Sequence, residues 1–136
     1  MIKLIAGVKG TGKTKRLIEM VNAAPDQSKG VVVCIDKTPK LRFNIRHEVR
    51  LIDVDDYGVS GTGELYGLIC GMFAANYDIT HFFMDSTFKI CGRDPAEFEA
   101  LFKKLLVFAE KYHIQMIFTV SNEPEWFPEW IREYII

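Results

Sequence analysis

The sequence predicts a three-layer α/β domain in which helices cover both faces of a mostly parallel sheet of about five strands. Short apolar runs alternate along the chain with segments of helical periodicity, an order that is typical of parallel sheets. Most of these apolar runs lack polar alternation, which indicates strands that are buried on both faces. With 136 residues, 49% of them hydrophobic, the chain is long enough for one domain, residues 1–136, around a buried core.

Five segments are predicted to be strands. In chain order they are 2–6, 31–36, 49–54, 79–85 and 115–121, of which 49–54 is the weakest candidate. Polar groups stand at or near their carboxyl ends: a glycine-rich loop, then Asp36, Asp53, Asp85 and Ser121. Because the carboxyl ends of parallel strands share one edge of the sheet, we expect these residues to lie near a common site.

Four further segments are predicted to be helices. They are 15–23, 65–77, 95–109 and a short aromatic segment, 124–136, docked on the body of the domain. The third has the strongest start signal, with Asp94 at the N-cap and Pro95 at the first helical position. In the second, Gly67, Gly71 and Ala75 form a stripe of small residues that predicts close packing against a neighbour.

The overall charge and the cysteine count exclude several classes of protein. Seventeen Lys+Arg stand against 18 Asp+Glu, and this net charge of −1 gives no general attraction to nucleic acid or to membranes. The three cysteines are odd in number and lack C-x-x-C spacing, which argues against a disulfide framework and a zinc site. No apolar run approaches the ~20 residues of a membrane span, and the apolar start is too short for a signal peptide. We therefore expect a soluble cytoplasmic protein without a membrane association.

The glycine-rich loop after the first strand carries the most specific signal in the sequence. It reads Gly7-Val8-Lys9-Gly10-Thr11-Gly12-Lys13-Thr14 and matches G-x-x-x-x-G-K-[ST] at every fixed position. Glycines let the backbone turn tightly so that its N–H groups, with the helix N-terminus, form a nest for phosphates. Lys13 would add a positive charge at the outer phosphates, and the Thr14 hydroxyl could ligate Mg²⁺. The dinucleotide pattern G-x-G-x-x-G does not fit, because Lys13, Thr14 and Lys15 follow Gly12.

A second element should be an apolar strand that ends in an aspartate. Phe82-Phe83-Met84-Asp85 supplies it. An aspartate at this place holds the shell of the magnesium ion opposite the loop threonine. The sequence therefore predicts that Thr14 and Asp85 form a metal site.

With these two elements the sequence resembles the P-loop NTPase superfamily, Gly7–Thr14 corresponding to Walker A and Phe82–Asp85 to Walker B. The layout covers nearly the whole chain, and the sequence is also similar to small ATP-binding proteins of Gram-positive anaerobes. The resemblance implies catalytic roles for Lys13 and Asp85. It favours a RecA-like strand order, because a strand follows Asp85 and ends in Ser121, with a kinase-like order as the alternative.

One departure from the family pattern bears on turnover. Many hydrolytic ATPases of this type carry Glu directly after the Walker B aspartate, and here Ser86 stands in that position. The sequence therefore does not predict efficient hydrolysis. Other carboxylates that could act as a base are Asp36, Asp53, Asp55 and Asp56. No N/T-K-x-D motif follows Asp85, so guanine selectivity by that route is not expected. The segment 86–93 is short for a kinase lid, and Arg93 is its one arginine.

Three other features have a structural and a functional interpretation. The basic residues of segment 37–50 predict a solvated loop, with contact to a polyanion, or an arginine finger from Arg42 or Arg46, as alternatives. The aromatic residues of the C-terminal segment, Trp126, Phe127 and Trp130, predict docking on the core rather than a partner surface. A polar residue at the end of the last strand, Ser121 with Thr119 nearby, would match the sensor position of RecA-like ATPases.

The functional expectation is binding of a nucleoside triphosphate, ATP in the first place, together with Mg²⁺. Slow hydrolysis as an ATP-dependent switch is the leading hypothesis. The alternatives are a nucleotide-binding regulatory module without turnover and a small-molecule kinase. A protein partner or a homo-oligomer is a further expectation, since a catalytic arginine can come from a neighbouring subunit, whereas nucleic acid is not an expected partner.

Overall fold

The computed structural model describes residues 1–136 and has the α/β architecture that the sequence predicts. Five strands form one sheet: β1 (Ile2–Ala6), β2 (Val31–Asp36), β3 (Arg50–Asp53), β4 (Ile79–Met84) and β5 (Gln115–Val120). Their order across the sheet is β1-β5-β4-β2-β3, and all four pairings are parallel. The helices are α1 (Lys13–Ala23), α2 (Thr62–Ala75), α3 (Thr87–Cys91), α4 (Pro95–Tyr112) and α5 (Glu129–Arg132). The prediction of about five mostly parallel strands is confirmed.

Both faces of the sheet are covered by helices, which makes three layers. In β2, Val33 and Ile35 contribute to one hydrophobic cluster together with the buried side chains of α2 and α4. Val32 and Cys34 contribute to a second, smaller cluster with those of α1. Successive residues of a strand point to opposite faces, so an uninterrupted apolar run supplies both clusters at once.

The register brings the carboxyl ends of the three neighbouring strands β1, β5 and β4 to one edge. Ala6 pairs with Val120, and Met84 pairs with Phe118. The loop after β1 and the residues after β5 and β4 therefore lie side by side. This edge carries the candidate site.

Local signals explain most of the element boundaries. The Asp94 carboxylate accepts hydrogen bonds from the backbone N–H groups of Ala96 and Glu97, at 2.9 and 3.1 Å, so the predicted cap of α4 is confirmed. Helix α1 begins at Lys13, two residues earlier than its apolar periodicity indicates, because Gly12 adopts the left-handed conformation that precedes the first turn. Helix α3 was not expected from the sequence, and its five residues are too few for a periodic signal.

The C-terminal segment does not form the single helix that the sequence predicts. A turn at Pro124–Trp126 and the short helix α5 are followed by an extended end, where Ile135 bridges to Leu4 alongside β1. The prediction that its aromatic residues dock on the core is confirmed. Phe127 is buried, and the Trp126 ring packs against Phe88.

The predicted packing role of the small-residue stripe on α2 is wrong within this chain. A Cβ atom added at Gly67 or Gly71 would meet no heavy atom within 4 Å. The stripe faces outward, and the buried side of α2 is formed by Leu65, Ile69 and Phe73.

The helices also bear on the expectation about membranes. None of them combines the length and the apolar content that crossing a bilayer requires.

Candidate functional site

The glycine loop, residues 7–14, connects β1 to the first turn of α1. Gly7 and Gly12 have φ values of 151° and 81°, a region that residues with a Cβ atom rarely adopt. At Gly7 an added Cβ would lie 2.6 Å from the Thr11 hydroxyl oxygen, so a larger residue would also displace the loop. The sequence folds into this tight turn because glycine stands at the positions where positive φ is required.

Inside the loop, two side chains fold back on the backbone. The Lys13 ammonium group and the Thr11 hydroxyl both donate to the Val8 carbonyl oxygen, at 2.9 and 2.8 Å. Partial burial lowers the pKa of Lys13, and the nearby Asp85 carboxylate opposes that shift. The ammonium group is therefore held beside the loop, where it can turn towards an anion.

Asp85 follows β4 and is almost fully buried. The Thr14 hydroxyl lies 3.1 Å from Asp85 Oδ2 and 3.3 Å from Oδ1, although 71 residues separate the two in the sequence. The Thr119 hydroxyl, from β5, donates to Oδ1 at 2.6 Å and accepts from the backbone N–H of Ser86 at 3.2 Å. Three elements thus position one carboxylate.

A second buried carboxylate, Asp36 at the end of β2, shares a cation with Asp85. The Lys40 ammonium lies 3.3 Å from Asp36 Oδ1 and 3.3 Å from Asp85 Oδ2, and it donates to the Ser86 hydroxyl at 2.8 Å. The backbone N–H of Lys37 also donates to Asp36 Oδ1, at 2.7 Å. Burial raises the pKa of Asp36, while the N–H of Lys37 and the Lys40 charge act in the opposite direction.

A cavity of about 390 Å³ opens next to this cluster. The basic residues that line it are Lys9, Lys13, Lys15, Lys40, Lys89 and Arg93, and Asp85 is the one carboxylate among the lining residues. The remaining lining residues are Gly10, Gly12, Thr14, Ser86, Phe88, Thr119 and Ser121. A cavity with this charge balance suits a polyanion, and its single carboxylate suits a cation that accompanies the polyanion.

Oxygen atoms that could hold the predicted Mg²⁺ lie at the cavity wall. Mg²⁺ prefers oxygen ligands, and the Thr14 hydroxyl and the Asp85 carboxylate meet at the cavity wall. No cluster of three or more His, Cys, Asp or Glu side chains could hold a metal ion by itself. The residues fit an ion that takes its remaining ligands from phosphate and water, which is how magnesium is commonly bound beside substrate phosphates.

Other predicted residues are partly brought to the site. Ser121 lies at the cavity wall, where its backbone carbonyl accepts from Arg93 at 3.1 Å, but the hydroxyl that contacts Asp85 belongs to Thr119. The other candidate bases, which do not line the cavity, are Asp36, Asp53, Asp55 and Asp56. Asp53 caps the following turn by accepting from the Asp55 N–H, and Asp55 pairs with Lys37 at 2.9 Å.

Neither arginine that was considered as a finger lines the cavity. Arg46 is held by Asp26 at 3.1 Å and by Glu48 at 2.6 Å. The Arg42 guanidinium lies over the exposed Phe43 ring. Within one chain, both arginines therefore make their contacts outside the cavity.

Sequence reasoning missed the bridging role of Lys40. Pro39 marks the turn that contains Lys40, but no local signal shows that this turn brings Lys40 next to Asp85. The identity of Thr119 as the partner of Asp85 was also missed, because strand pairing, and not chain position, sets which polar residue of β5 faces β4.

The comparisons with known proteins add no relative. The sequence matches no protein-family model, and a search of curated proteins found no match either.

Proposed function

We propose that the chain binds a nucleoside triphosphate, ATP in the first place, together with Mg²⁺, in the cavity beside the glycine loop. The observation that carries this proposal is the meeting of the Thr14 hydroxyl and the Asp85 carboxylate at 3.1 Å, directly beside the loop. The sequence motif requires a strand before the loop and a helix after it, and β1 and α1 provide them. The six basic side chains around the cavity would balance a triphosphate.

The strand order supports a RecA-like assignment within this proposal. β5 lies between β1, which leads into the glycine loop, and β4, which leads to Asp85. In the kinase-like alternative these two strands would be neighbours. The intervening β5 contributes Thr119, whose hydroxyl contacts Asp85, and this contact supports a sensor role for Thr119.

Each residue would have a distinct role in binding. The backbone N–H groups of the loop and the N-terminus of α1 would hold the inner phosphates. Lys13 would exchange the Val8 carbonyl for an outer phosphate oxygen. Thr14 and Asp85 would hold the Mg²⁺, which neutralises charge on the phosphates.

Slow or absent turnover is the second part of the proposal. Ser86 follows Asp85, and no other carboxylate lines the cavity to activate water. This favours a switch that hydrolyses slowly, or a regulatory module that binds without turnover, over an efficient ATPase or a small-molecule kinase. As part of this proposal, a partner chain in the cytoplasm would supply the missing catalytic group.

Calorimetric titration with non-hydrolysable ATP and GTP analogues, with and without Mg²⁺, tests the binding site. We expect Mg²⁺-dependent binding that weakens by roughly thirtyfold or more in Lys13→Ala, as the loss of a charge-assisted hydrogen bond of ~2 kcal/mol implies. Lys29→Ala is the matched control. Lys29 is exposed and lies just before the amino end of β2, whereas the candidate site lies at the carboxyl ends of the strands. Absence of binding to either analogue, or equal losses in both variants, would contradict the proposal.

Phosphate release then separates the candidates for turnover. A slow Mg²⁺-dependent release that Lys13→Ala abolishes supports the switch. Tight binding without any product over hours supports the regulatory module. Product that appears only after an acceptor is added would favour the kinase instead.

A further inference from the structure

Lys40 occupies the position between two buried carboxylates that come from neighbouring strands. Its ammonium group lies within 3.3 Å of both Asp36 and Asp85 and is the one basic group in an ion pair with either. The Lys40 side chain itself is 43% exposed, so it can leave the pair by rotating into the cavity that it lines.

One ammonium group is the ion-pair partner of two buried carboxylates at this cluster. Asp36 is 0% exposed and Asp85 is 3% exposed, so two buried carboxylates face a single ammonium group. Asp36 Oδ2 is buried without any hydrogen-bond partner. Buried charges are costly unless they are paired, and an orphaned carboxylate oxygen adds to that cost. A cluster that lost Lys40 would therefore need another cation in its place.

The same carboxylate oxygen serves both possible cations. Asp85 Oδ2 lies 3.3 Å from the Lys40 ammonium and 3.1 Å from the Thr14 hydroxyl, the other proposed metal ligand. A metal ion that binds Asp85 must therefore take over an oxygen that Lys40 already neutralises. Two cations cannot both approach this oxygen closely without repulsion.

We propose that Lys40 is the resident cation of the Asp36–Asp85 pair and that it prevents a free divalent metal ion from binding there. The metal ion then enters together with the triphosphate, whose phosphate oxygens receive the displaced ammonium group. The entry with triphosphate rests on the proposed function, whereas the competition between Lys40 and the metal does not. The consequence is a protein that responds to the magnesium nucleotide and not to free magnesium.

The test uses Mn²⁺ alone, with no nucleotide added, and follows its binding by electron paramagnetic resonance and calorimetry. We expect Lys40→Met to bind Mn²⁺ at least roughly tenfold more tightly than the wild type. Without Lys40 the two buried carboxylates have an uncompensated charge, which Mn²⁺ binding would neutralise. Lys40→Arg keeps the charge and should bind Mn²⁺ no better than the wild type. Adding Asp85→Asn to Lys40→Met should remove the gain.

Lys89→Met is the matched control. Lys89 lines the same cavity but forms no ion pair, so its removal changes the general potential without uncovering a carboxylate. A gain in Lys89→Met equal to that in Lys40→Met, or no gain in a folded Lys40→Met, would overturn the proposal.

Thermal unfolding provides a second measurement. Lys40→Met should melt at a lower temperature than the wild type and should recover with millimolar Mn²⁺, whereas the wild type should shift little. If Lys40→Met folds only after Mn²⁺ is added, the proposal is supported. If it remains unfolded in Mn²⁺, the lysine is purely structural and the proposal fails. Failure of the wild type to bind any nucleotide would count against the proposed function and leave these outcomes unchanged.

Discussion

At the scale of single residues, the site is organised around Asp85. Thr14, Lys40 and Thr119 reach its two oxygens from a helix, a loop and a strand. A buried carboxylate needs such contacts, because a buried charge is costly unless it is paired and hydrogen-bonded. The four side chains therefore depend on one another, and a change at one of them should alter the others.

Two buried threonines allow the value of one of these contacts to be measured. Thr119 and Thr87 are 2% and 1% exposed, but only the Thr119 hydroxyl has a hydrogen-bond partner. We expect Thr119→Val to lower the free energy of unfolding by ~1.5–3 kcal/mol, since it removes a hydrogen bond to a charged group and leaves the Ser86 N–H unpaired. Thr87→Val should be neutral or stabilising, because it removes an unsatisfied polar group.

Urea unfolding of the two variants and the wild type provides the measurement. Equal losses in both variants would show that threonine packing, and not the contact with Asp85, sets the stability. Nucleotide affinity measured in parallel should fall in Thr119→Val alone.

At the scale of elements, glycines have opposite roles at different places in the fold. Gly30 precedes β2, and a Cβ atom added there would lie 1.9 Å from the Asp78 carbonyl oxygen. Gly67 stands within α2 and faces open space. Identical residues are thus required at one element and unfavourable at another, where alanine would form the helix better.

Alanine substitutions at these two glycines should change stability in opposite directions. We expect Gly67→Ala to raise the free energy of unfolding by ~0.5–1 kcal/mol, which is the difference in helix propensity. Gly30→Ala should lower it by roughly 3 kcal/mol or more, because backbone must shift to relieve the overlap. Chemical denaturation measures both, and a destabilised Gly67→Ala with normal helix content would show that the outward face of α2 has a packing role.

At the scale of the whole molecule, one sheet separates two hydrophobic clusters, and its strands supply side chains to both of them. The C-terminal end pairs with the outer side of β1, where the Leu4 N–H donates to the Tyr134 carbonyl oxygen at 2.8 Å and the Ile136 N–H donates to the Leu4 carbonyl oxygen at 2.9 Å. This pairing covers part of the edge of the sheet, which would otherwise be open to other chains. Exposure of the interior should therefore require global unfolding.

The three cysteines can report on that unfolding. Cys34 and Cys91 are buried, and burial raises their pKa values to about 12 and about 11. Near pH 8 we expect a thiol reagent to modify Cys70 in the native protein. Cys34 and Cys91 should react at the rate of global unfolding, because the thiolate is the reactive species and their burial keeps them protonated. All three should react at once in denaturant, and rapid modification of Cys34 in the native state would show local opening of the sheet.

The same two thiols predict how stability depends on pH. In the unfolded chain both thiols lose their protons near the ordinary pKa of 9.0. In the folded chain burial raises the pKa of Cys34 to about 12 and that of Cys91 to about 11, so both stay protonated to a higher pH. The unfolded state therefore binds fewer protons in this range, and the free energy of unfolding should fall as the pH rises above 9. Replacing both buried cysteines with alanine should remove this part of the decline in the free energy of unfolding. Urea unfolding measured at a series of alkaline pH values tests this expectation.

The amount that could be predicted differs from residue to residue. The alternation of apolar runs and helical segments was enough for the fold class, and Asp94 was enough for the start of α4, because these signals act over short distances along the chain. Helix α3 and the irregular C-terminal end were not predicted. Short elements of this kind are stabilised by contacts with the core, such as the packing of Trp126 on Phe88, and not by their own periodicity.

The sequence by itself determined the α/β class, the glycine loop and the aspartate at the end of β4, since each is written in local residue order. Only the tertiary structure decided that β5 lies between β1 and β4, that Thr119 contacts Asp85, and that Lys40 joins Asp85 to Asp36. The physical reason is that strand order and the cancellation of buried charge depend on residues far apart in the chain, which become neighbours only when the sheet has formed.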